Sequence, residues 1–193
     1  QVGHIERFNP AYKAFCKSSH KPLFIEAHRL APFNIRGSDV PVVLDLMIHD
    51  IDLMLDLIND EVVDVRANGA AVVSSLVDLA NARITFKGGA VANLTASRIS
   101  DKQMRQIRVF EKKSYSALDL HNPSIKQYSV NHKKQIVPAS VDVKPGNALF
   151  WELQSFARSI RTNSKTAVTG QDGLNALKIA KKIQNLIEKK NSH

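Results

Sequence analysis

The chain has 193 residues, 44% of them hydrophobic, and 27 Lys and Arg against 18 Asp and Glu give it a net charge of +9. That is enough for one well-filled core and excludes two domains of ordinary enzyme size, while a single cysteine excludes an intramolecular disulfide and points to a reducing, cytoplasmic home. No apolar run reaches the length of a membrane span, no signal peptide pattern opens the chain, and scattered lysines with few interleaved aromatics argue against a nucleic-acid partner.

The chain starts at Gln1 without a Met and runs straight into a dense motif, as expected of a piece cut from a longer polypeptide. Val2 to Phe8 reads as extended, and a short helix follows to about Ser18, with Asn9 as N-cap and Pro10 at its first position. Cys16, among small and apolar neighbours, reads as structural. Pro22 to Ala31 alternates Phe24, Glu26, His28, Leu30 against Leu23, Ile25, Ala27, Arg29, which predicts a strand with one buried face. PFNIRGSD is loop, with Ser38 or Asp39 available to cap the next helix.

That helix, Val40 to Ile58, is the most apolar stretch of the chain. At about 100° per residue, Asp45, His49, Asp52 and Asp56 form one narrow polar stripe in an otherwise hydrophobic surface. The stripe is either a solvent face or the wall of a cleft. No Lys, Arg or Glu lies between Arg36 and Glu61, which is unusual for a solvent face in so lysine-rich a protein and favours the cleft.

Beyond it the period falls to two. Asp64 to Val73, Leu79 to Phe86, Ala90 to Ile99, Gln106 to Glu111, Tyr115 to Leu120 and Ile125 to Val130 predict six strands in an antiparallel meander, with turns at Lys87-Gly88-Gly89 and Asn122-Pro123. Residues 131–145 hold one more short strand at most. Asn147 to Arg161 predicts a helix with Leu149, Phe150, Leu153, Phe156, Ala157 and Ile160 on one side. The last helix carries Leu174, Leu177, Ile179, Ala180, Ile183, Leu186 and Ile187 on its apolar face and Lys178, Lys181, Lys182 and Lys189 on the wet one. The expected class is α+β: a largely antiparallel open sheet with helices packed on one face and the other free for a partner.

Asp45 and His49 stand four apart, on adjacent turns of a regular helix. An acid beside an imidazole fixes its tautomer and raises its basicity, which suits His49 to accept an alcohol proton. A metal is the competing use of His49, Asp52 and Asp56, but no second His or Cys lies near them in sequence. Arg7 and Asn9 meet at an extended-to-helix junction that can serve an anion or a sugar hydroxyl, or can simply cap the helix. Arg98, with Lys102 and Arg105 beyond it, either faces the acidic stripe or is solvated. No GxGxxG, GxxxxGK[ST], HExxH or GxSxG occurs, so nothing here binds a dinucleotide in the usual way.

Five motifs, in order across the chain, carry a resemblance. VGHIERFNP (Val2 to Pro10), the D-x-x-x-H-D-x-D of Asp45, His49, Asp50 and Asp52, LTASR ending at Arg98, LDL near Asp119 and GQDGLNALKIA (Gly170 to Ala180) are similar to the C-terminal domain of the glucose-fructose oxidoreductase and inositol dehydrogenase (Gfo/Idh/MocA) family. The pattern most resembles the branch of UDP-N-acetylglucosamine 3-dehydrogenase-like members. The resemblance implies that residues 1–193 are the substrate-binding and oligomerisation domain of a two-domain NAD- or NADP-dependent oxidoreductase acting on a hydroxyl of a sugar or nucleotide sugar. It further implies that the cofactor is held mainly by an N-terminal Rossmann domain that this chain lacks, so that the fragment alone is inactive. Homo-oligomers would form through the sheet. His49 and Asp45 match the family's catalytic pair, working with a lysine of the absent domain, and Arg7, Asn9, Asp52 and Arg98 fall where substrate is met. The alternative is a non-catalytic sugar- or nucleotide-binding assembly module.

Overall fold

The computed structural model describes every residue except Arg36, Ser192 and His193, and leaves out the side chain of Asn191. Eight strands form one sheet: β1 (Phe24–Leu30), β2 (Val62–Ala70), β3 (Leu79–Phe86), β4 (Val91–Ser97), β5 (Met104–Glu111), β6 (Ser114–Asp119), β7 (Ser124–Val130) and β8 (Ile136–Ala139). Their order is β2-β3-β4-β1-β5-β6-β7-β8. Every neighbouring pair is antiparallel except β1 with β4.

The expected meander is therefore interrupted. β1 enters between β4 and β5, pairing Ala27 with Leu94 on one side and with Ile107 on the other. Ile25 and Ala27 are each 1% exposed, so β1 buries its apolar set and satisfies both of its hydrogen-bonding edges by going to the centre. A strand that pairs with a distant partner leaves no mark in its own periodicity.

The helices are α1 (Pro10–Phe15), α2 (Ile48–Ile58), α3 (Ala148–Thr162) and α4 (Gly170–Asn191), with a 3₁₀ turn at Ile5–Phe8 in place of the expected extended piece. α2 and α4 pack together on one sheet face. Beneath them Ala27, Ala80, Ala82, Ala92 and Ala96 make a floor of small side chains, and Met47, Ile51, Leu53, Met54, Ile183 and Ile187 close over it. Asn9 caps α1 by accepting from Ala11 N–H, and Asn147 caps α3 by accepting from Phe150 N–H. α4 begins with a capping box in which Thr169 and Asp172 exchange hydrogen bonds. Gly89, at φ +90°, closes the β3–β4 hairpin where the turn needs a left-handed residue.

Three further expectations fail. Neither Ser38 nor Asp39 caps the central helix, since Val42 occupies that position without a side-chain bond and the Ser38 hydroxyl donates to Ile35 O instead. α3 packs on the 3₁₀ turn with Trp151, Glu152, Ser155 and Ser159 inward, and leaves Leu149, Leu153, Phe156 and Ile160 outside, 41–66% exposed. α4 buries Ala176, Ala180, Ile183 and Ile187, but Leu174 and Leu177 lie outward. An apolar stripe shows that a helix has a preferred face; which surface receives it is decided elsewhere in the molecule. Cys16 is exposed as well, at the end of α1.

Candidate functional site around His49

The central helix is not regular. Val43–Met47 forms a π-turn before α2, with Ile48 N–H reaching back to Val43 O, and such insertions often mark functional sites. Asp45 sits in this wide turn, exposed, opposite Gly37 (φ +84°), where a Cβ would stand 3.5 Å from Asp45 Oδ2. The Asp45 carboxylate makes no hydrogen bond or ion pair among the described residues, and none joins it to His49. The adjacency expected from a spacing of four holds for α-helical geometry, and the wider turn alters it.

His49 is half-buried. Its Nδ1 is enclosed without a hydrogen-bond partner, and the ring meets the buried His4 edge-on, centroids 5.9 Å apart at 88°. Burial pushes its pKa below the ordinary imidazole value of 6.5. The Arg29 guanidinium acts in the same direction, Asp50 and Glu6 oppose it, and His4 lowers it a little further. His49 is therefore neutral near pH 7 and able to accept a proton.

Beneath His49 lies a buried charge cluster. Arg29 donates to Asp50 through Nε (3.0 Å) and Nη2 (2.8 Å) and to Glu6 through Nη1 (2.9 Å). Arg105 reaches the same Glu6 oxygen at 3.4 Å, and Asn9 Nδ2 donates to the other at 3.1 Å. Burial opposes the charge on Arg29, but Asp50 and Glu6 outweigh it and hold the guanidinium protonated.

A second cluster lies one turn along α2. Arg7 donates in bidentate fashion to Asp52 (2.7 and 2.9 Å) and also pairs with Asp56, which accepts from the Tyr12 hydroxyl. The four-residue stripe is thus divided: Asp45 is free, His49 lies over the Arg29 cluster, and Asp52 and Asp56 are tied to Arg7. Asn9 gives both amide hydrogens away, to Glu6 and to Leu120 O, while its oxygen caps α1. Arg98 is 5% exposed and donates to Gly37 O and Val40 O, so it pins the loop leading into the π-turn and does not face the stripe.

Sequence reasoning missed Glu6, Arg29 and Asp50. The signal was present: Arg29 shares strand parity with Ile25 and Ala27, and Asp50 lies on the apolar flank of the central helix, and a charge in an apolar set implies a buried partner. No group of three or more His, Cys, Asp or Glu is gathered for a metal, and no helix is long and apolar enough to cross a membrane, among the described residues.

Residues 29–114 match a family model, the GFO/IDH/MocA C-terminal domain. The UDP-N-acetylglucosamine 3-dehydrogenase of Acidithiobacillus ferrooxidans is 35% identical over 193 residues, covering 97% of this chain and 62% of that protein. Its solved structure superposes with a TM-score of 0.91 at 36% identity, again over 97% of this chain and 61% of that one. The uncharacterized oxidoreductase YrbE of Bacillus subtilis is 29% identical over 95% of the chain and 59% of its own length. A dehydrogenase from Clostridium difficile shares the fold, with a TM-score of 0.78 at 18% identity over 96% of this chain and 61% of its own. The chain spans about three fifths of the length of the relatives it matches.

Proposed function

Because the chain belongs to the GFO/IDH/MocA C-terminal domain family, we propose that it is the substrate-binding part of an oxidoreductase that oxidises a hydroxyl of a sugar nucleotide with NAD or NADP. The observation that carries this reading is His49: a neutral imidazole, half-buried, its Nδ1 enclosed without a hydrogen-bond partner among the described residues, just past a π-turn. A group with that environment is a proton acceptor in waiting. The similar enzyme is named for a UDP-linked amino sugar, and that name supplies the substrate class.

In this reading His49 takes the hydroxyl proton, and the exposed Asp45 binds the sugar beside it. The Glu6–Arg29–Asp50 cluster carries His49 on a rigid base, and burial together with the Arg29 guanidinium keeps it neutral against the pull of the two carboxylates. Asn9, Asp52 and Arg98 act one step back, holding the elements that present these groups, while Arg7 reaches the surface. The nicotinamide is the oxidant of the family, but among the described residues no strand runs into a glycine-rich turn that opens a helix. The share of the chemistry that falls to these residues is the proton and the sugar.

His49→Gln in the enzyme that contains this chain and its dinucleotide-binding half is expected to lower turnover with UDP-N-acetylglucosamine by about 100-fold or more, with cofactor affinity unchanged. Turnover at the unaltered rate would remove His49 from the reaction.

The open face of the sheet supports self-association as part of the same proposal. Phe24, Phe110, Tyr115 and Tyr128 form one cross-strand row with centroid separations of 5.7, 4.9 and 6.1 Å. Beside them Glu26 pairs with Arg108 at 3.1 Å.

A further inference from the structure

Between α1 and α3 runs a cleft of about 680 Å³ to which the roles given above assign no ligand. Arg7 and Lys13 line one wall, Arg158 and Arg161 the other, with no acidic residue in the lining among the described residues. Arg7 is neutralised from behind by Asp52 and Asp56. The guanidinium groups of Arg158 and Arg161 make no hydrogen bond or ion pair among the described residues, and the Lys13 ammonium rests 4.6 Å from the centre of the Trp151 ring. Cations on a solvated helix end usually point apart. Here they converge across a concavity, where like charges repel and the potential is focused.

We propose that this cleft binds the diphosphate of a nucleotide, with Arg158, Arg161 and Lys13 as its direct contacts and Arg7 at its inner end. Two arginines offer the planar donor forks that suit phosphate oxygens, and Gln154 and Ser155 add neutral polar groups to the same wall. The volume falls within the roughly 300–1,000 Å³ of small-molecule sites, more than a lone phosphate fills. The inner end also has a meaning for the chemistry. Arg7 holds Asp52, one helical turn beyond His49, so a ligand anchored here enters along the stripe that carries the proton acceptor. This deepens the nucleotide-sugar reading and rests on it for the choice of ligand.

Trp151 is the only tryptophan of the chain, and its ring is held in the cleft, so close to Gly146 that a Cβ there would lie 2.0 Å from it. Its fluorescence therefore reports on Lys13. Inorganic pyrophosphate, titrated at about 50 mM salt with calorimetry in parallel, is expected to bind and to change Trp151 emission, with affinity falling as salt rises. The Arg158→Gln/Arg161→Gln double variant, at exposed positions that do not threaten folding, should weaken binding by about tenfold or more. Lys133→Gln/Lys134→Gln, the same charge change on another surface, should alter it by less than about twofold. No calorimetric binding, or equal weakening by both pairs, overturns the proposal.

Two sources share this chemistry. Competition of pyrophosphate by a UDP-sugar, but not by NAD, assigns the cleft to substrate, and the reverse assigns it to the cofactor. His49→Gln should bind pyrophosphate as the unaltered protein does, so this proposal and the catalytic role of His49 fail separately.

Discussion

His49 illustrates how an unremarkable side chain acquires a task from what surrounds it. Burial and the Arg29 guanidinium both disfavour the imidazolium, so its proton midpoint, followed by NMR, is expected below 6.5. The sign for stability follows. The unfolded chain binds the proton more readily, so the folded state loses stability as pH drops below about 6.5 toward the lower folded value. In His49→Gln that part of the acid-side decline should vanish in urea titrations between pH 7 and 5; an identical decline would contradict the assignment. Arg29 carries a different burden. It compensates two carboxylates that are each 4% exposed, and removing one partner of such a cluster strands the others. Arg29→Met should therefore cost about 3–5 kcal/mol, read from the shift of the urea midpoint. Arg29→Lys should restore only part of it, because an ammonium cannot reproduce the paired bonds to Asp50.

The connections between elements are held by single polar side chains. Asp78 sits at the start of β3's strand run with no exposure, accepting from the N–H groups of Val72, Val73 and Ser74 and from the Ser74 hydroxyl. Burial would raise its pKa, but the Ser74 hydroxyl and the three amides outweigh burial and hold the carboxyl well below the ordinary carboxylate range. Its contribution is thus complete above about pH 4 and lost as pH falls toward the depressed folded value. Asp78→Ala is expected to cost about 3 kcal/mol at pH 7 and to flatten the decline in stability below pH 4, both measurable by chemical denaturation. Asn59 and Asn163, at φ 47° and 49°, end α2 and α3 in the left-handed region, where asparagine is among the few residues tolerated. Asp78, Asn59 and Asn163 were not read from the chain, but other element ends were legible in it. Asn9-Pro10, Asn147 and Gly88-Gly89 are local signals acting over a few residues, and β3 occupies the predicted Leu79 to Phe86. The π-turn was not legible, because Val43 to Met47 has an ordinary helical composition and the extra residue is accommodated by packing over the alanine floor.

Among the described residues, open apolar surfaces include the aromatic row on the free face of the sheet, the outer stripe of α3 and the outward Leu174 and Leu177 of α4. On the first, Tyr128, Leu79 and Met104 are 37–38% exposed, and a face of that kind in so large a sheet is expected to pair with a second copy. Sedimentation should show a dimer or higher species, and Tyr128→Lys should shift it toward monomer; a monomer for the unaltered chain at micromolar concentration would leave the face without this role.

Period, turn chemistry and capping belong to short stretches, so the residues alone determined the α+β class, nearly every strand and helix, and the candidacy of His49. Pairing and enclosure depend on partners far along the chain. Only the folded molecule could place β1 between β4 and β5, turn α3's leucines outward, bring Glu6, Arg29 and Asp50 together from three elements, and gather Lys13 and Arg158 across one cleft. Coulombic and burial energies act on distances in space, and a linear string contains those distances only after the sheet has closed.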